Sequence, residues 1–263
     1  MLSVAEIRTC VDGLVATVTL SQPTRLNALS LEMWKALPRA LHEAEEREGT
    51  RVLIIDGDGV AAFSAGADIA RFASERTDPR DAEHYSNAVS DALCVLTGLR
   101  KPTIARVHGV CSGGGAAIAL ACHIRISSDK LRFAIPAGRL GIVYEFEAVQ
   151  QLVEAVGSAF AYDILASGRT VEAEEASRLG LVNRVVPVDE LDEYVEAYAA
   201  TIAGNAPLAV EGGIVAVHAA LVGGDEHLEH RLRGLQAQAI ESADYAEGVS
   251  AFIEKRRPRF GGR

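Results

Sequence analysis

The sequence predicts an α/β fold: a core of strands and helices, followed by a helical C-terminal region. Strand-like segments alternate with helical ones up to about residue 135, the pattern of a sheet built from crossover units. Beyond about residue 160 the apolar spacing is helical. The 263 residues, 49% hydrophobic and 24% charged, suffice for one large domain or one domain with an appended piece. We assign 1–195 to the core and 196–263 to the helical region.

Three apolar runs are predicted to be strands. LVATVTL at 14–20 is enriched in β-branched residues, which favour extended backbone. RVLIIDG at 51–57 and TIARV at 103–107 are almost continuously apolar. Because a strand with one face in water alternates polar and apolar residues, these two runs are typical of strands buried on both faces.

Helices are predicted between and after these strands. Ser30 is suited to cap a helix over 31–49, and Pro38 is expected to kink it. A second helix, over 81–99, carries apolar residues at helical spacing and stops before Pro102. Further helices are predicted at 116–122, 172–179, 189–203, 207–221, 226–241 and 244–254.

Charge and composition exclude several classes of partner. The net charge of −10 disfavours nucleic acid and anionic membranes, because both select a basic surface. The apolar run at 13–20 is too short to span a membrane, and we find no signal peptide. Cys10, Cys94, Cys111 and Cys122 show no paired spacing. We therefore expect reduced thiols and a cytoplasmic protein.

Two glycine-bearing turns stand out as candidate functional segments: AAFSAGADIARF at 61–72 and VHGVCSGGGAAIAL at 107–120. Each lies at or near a predicted strand and leads into a helix, so it exposes backbone N–H groups at a positive helix end. If the turns converge, they form a cradle for a developing oxyanion. The alternative is close packing through glycine. Neither turn has the pattern of an ATP or NAD loop.

Cysteine and histidine offer two other hypotheses. GVCSG at 109–113 matches a nucleophile elbow, so Cys111 could serve a hydrolase with His218 or His227, although a small buried side chain is the commoner role. Four potential zinc ligands have spacings that match no standard pattern. We expect no metal site and a structural role for His108, Cys111, Cys122 and His123.

The segment FAIPAGRLGIVYEFEAVQQL at 133–152 places two glutamates in the first turn of a predicted helix. On a helix that begins near Tyr144, Glu145 shares a face with apolar residues that are expected to be buried. A carboxylate on such a face is costly unless a function requires it there. The alternative is an acid that stabilises the helix dipole while its head reaches water.

These motifs together resemble the crotonase superfamily, the enoyl-CoA hydratase/isomerase family. The resemblance implies a spiral of ββα turns, a C-terminal helical region that supports a trimer or a dimer of trimers, and an acyl-CoA substrate with no further cofactor. In order, the motifs are RLNALS (25–30), FSAGADI (63–69), KPTIARVHG (101–109), SGGG (112–115), P-x-x-x-LG (136–141), GRTVEAEEASRLGLVNRVVP (168–187) and EGVSAFIEKRRPRFGG (247–262).

The resemblance also implies binding residues. It places the thioester oxygen between the backbone N–H groups of Ala67 and Gly114. It places Arg25 near the CoA phosphates, and Lys255 in a tail that approaches CoA, sometimes from a neighbouring subunit. The charged composition of 73–84 suggests a mobile segment. The stretch implied to line the adenine and pantetheine contains Ala65, Asp68 and Ile69.

The chain departs from the family at the two hydratase glutamates, where it has Ala117 and Ala137. Hydration uses paired carboxylates to activate water, so we expect it to be lost or very weak. Glu145 matches the acid of dienoyl-CoA isomerases and aromatic-CoA dehalogenases, whereas Tyr144 resembles the tyrosine of methylmalonyl-CoA decarboxylase. Neighbouring helical residues point about 100° apart, so both are not expected to face one reacting carbon.

We favour isomerase-type proton transfer through Glu145, with Tyr144 as an orienting hydroxyl. An oxyanion hole that stabilises a thioester enolate serves all of these reactions. The alternatives are a malonyl-type decarboxylase that uses Tyr144, a residual hydratase, a non-catalytic acyl-CoA binder and, more distantly, the Cys111 hydrolase.

Overall fold

Strands and helices alternate along residues 5–72 and 78–262, the part of the chain that this computed structural model describes. The α/β class is confirmed. The strands are β1 (Glu6–Asp12), β2 (Val15–Ser21), β3 (Val52–Gly57), β4 (Ala62–Ser64), β5 (Thr103–Val107), β6 (Val110–Ser112), β7 (Ile124–Ser128), β8 (Arg132–Ala134), β9 (Thr170–Glu172) and β10 (Arg184–Val186). The helices in these ranges are α1 (Leu31–Glu46), α2 (Pro79–Thr97), α3 (Gly114–Ala121), α4 (Phe146–Ser167), α5 (Ala173–Leu179), α6 (Leu191–Ala203), α7 (Pro207–Leu221), α8 (Glu226–Glu241) and α9 (Ala243–Ile253).

The strands form two sheets, and successive strands alternate between them from β3 to β8. The larger sheet has the order β1-β2-β3-β5-β7-β10, and the smaller has the order β4-β6-β8-β9. Pairing is parallel except for β1 with β2 and β8 with β9. Three times, one strand of each sheet is followed by a helix: β3-β4-α2, β5-β6-α3 and β7-β8-α4. This is the expected spiral of ββα turns.

The larger sheet is covered on both faces, as its apolar runs predict. Val52 and Ile54 of β3 pack on one side against an apolar cluster that includes Val195 of α6. Leu53 and Ile55 point to the other side, into the main core. The expected boundary between residues 195 and 196 lies within α6, and residues on both sides of it, Val195 and Ala199, pack in this apolar cluster.

The helix predictions hold closely, with one consequential error. The Ser30 side chain accepts a hydrogen bond from the backbone N–H of Met33, which caps α1, and α1 continues through Pro38 as one helix. The helix expected to begin near Tyr144 begins instead at Phe146, and Glu145 is its N-cap residue. Residues 73–77 of the segment expected to be mobile lie outside the described residues.

The C-terminal tail is tied to the core through backbone groups. The Arg51 guanidinium donates to the Phe260 carbonyl at 2.8 Å and to the Ala203 carbonyl at 2.9 Å. The Asp244 carboxylate accepts from the amides of Gly261 and Gly262. Within the described ranges, no single helix has the length and apolarity to cross a bilayer; α6 and α7 would meet that standard only as a pair, and they are bent by 103°.

Candidate active site

Six of the nine predicted site residues line a cavity of about 170 Å³ between the two glycine turns and the start of α4: Ala65, Ala67, Ile69, Gly114, Tyr144 and Glu145. A more open depression, of about 900 Å³, lies beside the C-terminal tail and contains none of them. The first cavity is apolar with few polar groups, the composition of a small-molecule site. Its lining residues are Trp34, Ala65, Ala67, Ile69, Phe72, Tyr85, Val89, Ser112, Gly113, Gly114, Ala117, Pro136, Ala137, Leu140, Ile142, Tyr144, Glu145 and Ala148.

The two glycine turns do meet, as the cradle hypothesis requires. Gly66 has a φ of 92°, and a Cβ there would lie 2.7 Å from the Ser112 carbonyl oxygen and 3.2 Å from the Gly114 nitrogen. A Cβ on Gly115 would lie 2.6 Å from the Ser64 carbonyl oxygen. Because such distances leave no room for a side chain, glycine allows the two backbones to approach this closely.

The amides of Ala67 and Gly114 have no hydrogen-bond acceptor among the residues that the structure describes. Ala67 forms a parallel β-bridge with Leu29. The Leu29 amide donates to the Gly66 carbonyl at 2.7 Å, and the Leu29 carbonyl accepts from the Asp68 amide at 3.0 Å. The N–H of Ala67 therefore points away from Leu29. Gly114 is the first residue of α3, where an N–H has no partner inside the helix. Within residues 5–72 and 78–262, neither amide donates to a protein acceptor.

Glu145 is the one carboxylate among the described residues that line the cavity. Ala117 and Ala137 also line the cavity, so methyl groups stand where the resemblance to hydratases implies two glutamates. The Glu145 side chain is half-buried, and its Oε1 atom accepts a hydrogen bond from Ser86 Oγ at 3.0 Å. This bond fixes Oε1, and Oε2 has no hydrogen-bond partner among the described residues.

Tyr144 lines the same cavity, and its hydroxyl donates to the Gly113 carbonyl at 2.8 Å. Burial, together with the nearby Cys111 and Glu145, raises its pKa well above the ordinary value, so the hydroxyl stays protonated. Tyr144 and Glu145 both line this cavity, although the angle between neighbouring helical residues led us to expect that they do not face one reacting carbon. Both precede α4, and the φ of −61° and ψ of 141° at Glu145 are extended rather than helical, so the 100° argument does not apply.

The predicted CoA residues fall into three groups. Ala65 and Ile69 line the cavity. Asp68 does not; it is 4% exposed, and its carboxylate binds the half-exposed Arg25 guanidinium at 2.7 and 2.9 Å. Asp68 thus orients Arg25, while Arg71 Nε lies 3.4 Å from the same carboxylate. Lys255 is exposed after the end of α9 and is not a lining residue.

The hydrolase and zinc hypotheses find no support in the geometry. Cys111 is 1% exposed, and burial raises its pKa, whereas a nucleophilic cysteine needs an accessible thiolate. Burial lowers the pKa of His123 to about 4, and its Nδ1 accepts from the Thr103 amide at 3.1 Å. In the described ranges no three His, Cys, Asp or Glu side chains group as a metal site.

Several residues that shape the cavity carry no signal in the sequence. Trp34 forms part of the wall, and its indole Nε1 donates to the Tyr85 hydroxyl at 3.0 Å. Tyr85 has the helical spacing of a core residue, which does not distinguish it from its apolar neighbours. Ser86 follows it on α2 and could be linked to Glu145 only by the three-dimensional structure, because 59 positions separate them.

Comparison with known proteins agrees with this geometry. The sequence profile described as enoyl-CoA hydratase/isomerase matches residues 11–263. A short-chain-enoyl-CoA hydratase from Clostridium acetobutylicum is 34% identical over 248 residues, 94% of each chain. A peroxisomal Delta(3,5)-Delta(2,4)-dienoyl-CoA isomerase from Arabidopsis thaliana is 34% identical over 266 residues, 97% of this chain and 95% of the relative.

Solved structures give the same answer. The crystal structure of an enoyl-CoA hydratase/carnithine racemase from Magnetospirillum magneticum matches with a TM-score of 0.90 and 35% identity, over 98% of this chain and 96% of that one. An enoyl-CoA hydratase from Bacillus anthracis matches with a TM-score of 0.90 and 30% identity, over 98% of this chain and 99% of that one. The chain therefore belongs to the enoyl-CoA hydratase/isomerase family of the crotonase superfamily, and it is an acyl-CoA enzyme of that family.

Proposed function

We propose that this enzyme is an acyl-CoA isomerase in which Glu145 moves a proton between two carbons of a thioester. One observation carries the proposal: Glu145 is the single carboxylate on the described lining of the cavity, and Ala117 and Ala137 line the same space. A single carboxylate can act as the base that removes a proton from carbon, whereas hydration uses a second carboxylate to activate water. The site therefore favours proton transfer over hydration.

The backbone supports an oxyanion hole for this reaction. The unpaired amides of Ala67 and Gly114 come from two turns in contact, and the Gly114 amide lies at the positive end of α3. Fixed donors of this kind stabilise charge that develops on a thioester oxygen, and they need no reorganisation during the reaction. We assign the thioester oxygen to these two donors.

The proposed step conserves atoms and charge. The Glu145 carboxylate takes a proton from a saturated carbon next to the thioester carbonyl or next to its conjugated double bond, and the electron pair moves to the thioester oxygen as an enolate. The carboxylic acid then returns the proton to another carbon of the conjugated chain, so the double bond migrates. The Arabidopsis relative named as a dienoyl-CoA isomerase supports this reaction class. Other relatives are named as hydratases, but Ala117 and Ala137 give this chain no carboxylate at those two positions to activate water.

Decarboxylation through Tyr144 is the second candidate, and the site favours it less. No lysine, arginine or histidine is among the described lining residues, so a second carboxylate on the substrate lacks a cation to pair with. It would also meet the charge of Glu145, which repels it. A non-catalytic acyl-CoA binder is the remaining candidate, and it predicts tight binding without turnover.

We also propose that CoA and other copies of the chain are the binding partners. Arg25, held by Asp68, is available to the CoA phosphates, and the exposed Lys255 is available to the CoA of a neighbouring subunit. Exposed apolar side chains on the C-terminal helices support a trimer or a dimer of trimers.

The first experiment separates the candidate reactions. Enoyl-, dienoyl- and malonyl-type CoA thioesters are incubated with the enzyme in deuterated water and analysed by mass spectrometry. Isomerase-type proton transfer gives deuterium incorporation without added water. Addition of water to an enoyl-CoA would contradict our interpretation of Ala117 and Ala137. Loss of carbon dioxide would favour the decarboxylase, and an unchanged panel would favour the binder.

The second experiment tests Glu145 directly. Glu145→Gln keeps the shape and removes the base, so we expect deuterium exchange to fall at least about a hundredfold, with CoA-ester binding retained. Glu147→Gln is the matched control, because Glu147 accepts the equivalent bond from Ser90 at 3.0 Å and does not line the cavity. Full exchange in Glu145→Gln would refute the assignment.

A further inference from the structure

The hydroxyl of Tyr144 is bonded to the peptide unit that carries a proposed oxyanion donor. Its oxygen lies 2.8 Å from the Gly113 carbonyl oxygen. A carbonyl can only accept, so the hydroxyl hydrogen points to Gly113. The carbonyl of Gly113 and the N–H of Gly114 belong to one planar peptide group. Tyr144 therefore contacts the carbonyl end of the peptide group whose nitrogen belongs to Gly114, a lining residue of the cavity.

This peptide needs an external restraint. It joins two glycines, and Gly113 has a φ of 48° and a ψ of −114°, a conformation that only glycine adopts readily. The Gly113 amide is held by the Ala134 carbonyl at 2.9 Å, and the Gly113 carbonyl accepts from the Ala117 amide at 3.0 Å. The Tyr144 hydroxyl is the second donor to the Gly113 carbonyl, and it lies outside helix α3.

Two donors on one carbonyl also change its electronics. Each hydrogen bond to the carbonyl oxygen draws electron density from the peptide nitrogen, so the N–H becomes a stronger donor; cooperative effects are about 10–30% per bond. The N–H affected is that of Gly114, which has no protein acceptor among the described residues.

We propose that Tyr144 is a positioning residue, whose hydroxyl orients and polarises the Gly113–Gly114 peptide so that the Gly114 N–H binds the thioester oxygen more strongly. The inference rests on the proposed oxyanion hole and assigns a target to the orienting hydroxyl. Its proton is committed to Gly113, so Tyr144 does not supply a proton to a substrate carbon. This role also differs from that of Glu145, which touches the reacting atoms.

The test is Tyr144→Phe, read by infrared difference spectroscopy on crotonyl-CoA labelled with heavy carbon at the thioester carbonyl. Binding to the wild-type enzyme is expected to lower the carbonyl stretching frequency, because the oxyanion hole polarises the bond. In Tyr144→Phe the lowering is expected to be smaller. Exchange turnover is expected to fall about tenfold, less than for deletion of a direct donor, with KM little changed.

The outcomes distinguish this inference from the proposed function. No lowering in the wild-type enzyme would refute the oxyanion hole and, with it, this inference. A lowering that Tyr144→Phe retains in full would refute the inference alone. Loss of all turnover with the full lowering retained would make Tyr144 a proton donor, and that result would also overturn it.

A second variant keeps the test decisive if Tyr144→Phe fails to fold. Site-specific replacement of Tyr144 by a fluorotyrosine retains the hydroxyl and makes it a stronger donor. The inference predicts a carbonyl frequency below that of the wild-type complex. An unchanged or higher frequency would contradict it.

Discussion

At the scale of single residues, absent side chains shape the site as much as present ones. Ala117 and Ala137 place only methyl groups on the cavity wall, and the missing side chain of Gly114 leaves space that another group fills. A Cβ on Gly114 would lie 2.7 Å from Trp34 Cζ2 and 3.2 Å from Leu29 Cδ1. Trp34 is fully buried and bonded to Tyr85, so it cannot readily move away.

Gly114→Ala is therefore expected to lower the free energy of unfolding by about 1–3 kcal/mol through overpacking. Exchange turnover is expected to fall as well, because the displaced amide no longer faces the thioester oxygen. Gly234→Ala is the matched control: a Cβ there meets nothing within 4 Å, and it lies inside α8. That change should stabilise by up to about 1 kcal/mol.

Denaturant unfolding and the deuterium assay together check this pair. Wild-type stability in Gly114→Ala would show that Trp34 can shift, and unchanged turnover would show that the Gly114 amide is dispensable. The sequence alone marks the glycine turn, but it does not show that Trp34 lies across from it, because 80 positions separate the two residues.

At the scale of elements, the packing of α2 against the start of α4 sets the position of the base. Ser86 and Ser90 lie one turn apart on α2 and donate, each at 3.0 Å, to Glu145 and Glu147. The two bonds are alike in length and partial burial, but only the first reaches a residue that lines the cavity.

We expect Ser86→Ala to reduce exchange turnover about tenfold, equivalent to about 1.4 kcal/mol, which is near the lower end for a bond to a charged group. Ser90→Ala removes the same bond from Glu147 and should leave turnover unchanged. Both variants should lose similar stability. Equal turnover in the two variants would mean that Ser86 does not position Glu145.

The start of α4 also shows where prediction from sequence fails. The apolar spacing after Phe146 correctly indicates a helix, but it does not fix the first residue, because an N-cap residue is extended and contributes to no period. The helix begins at Phe146, two residues later than expected. In a helix Tyr144 and Glu145 would point about 100° apart, whereas before the helix both line one cavity. β2, β3 and β5 were predictable from their apolar runs, whereas β1, whose residues EIRTCVD are mixed in polarity and mostly exposed, and β7 were not predicted. Three-residue strands such as β4 and β6 are too short to show a period.

At the scale of the whole molecule, a series of family motifs spread along the chain made the fold predictable. The contacts across the cavity were not predictable from the sequence, because they depend on how separate ββα turns stack. The same stacking leaves the C-terminal helices with exposed apolar residues. Phe252 is 85% exposed and Ile253 is 73% exposed in the single chain, and we propose that these neighbouring apolar side chains lie in a subunit interface.

We expect the protein to sediment at three or six times its chain mass of 27.9 kDa. Phe252→Glu should shift it toward the mass of the single chain, because an unpaired charge buried at a subunit contact is strongly unfavourable. Val60→Glu is the control, since Val60 is similarly exposed, at 86%, but lies in the turn between β3 and β4.

Sedimentation of the wild-type protein as a single chain would refute the trimer. Equal effects of the two changes would place the contact elsewhere. Loss of exchange turnover together with trimer dissociation would support the proposal that a neighbouring subunit helps to bind CoA.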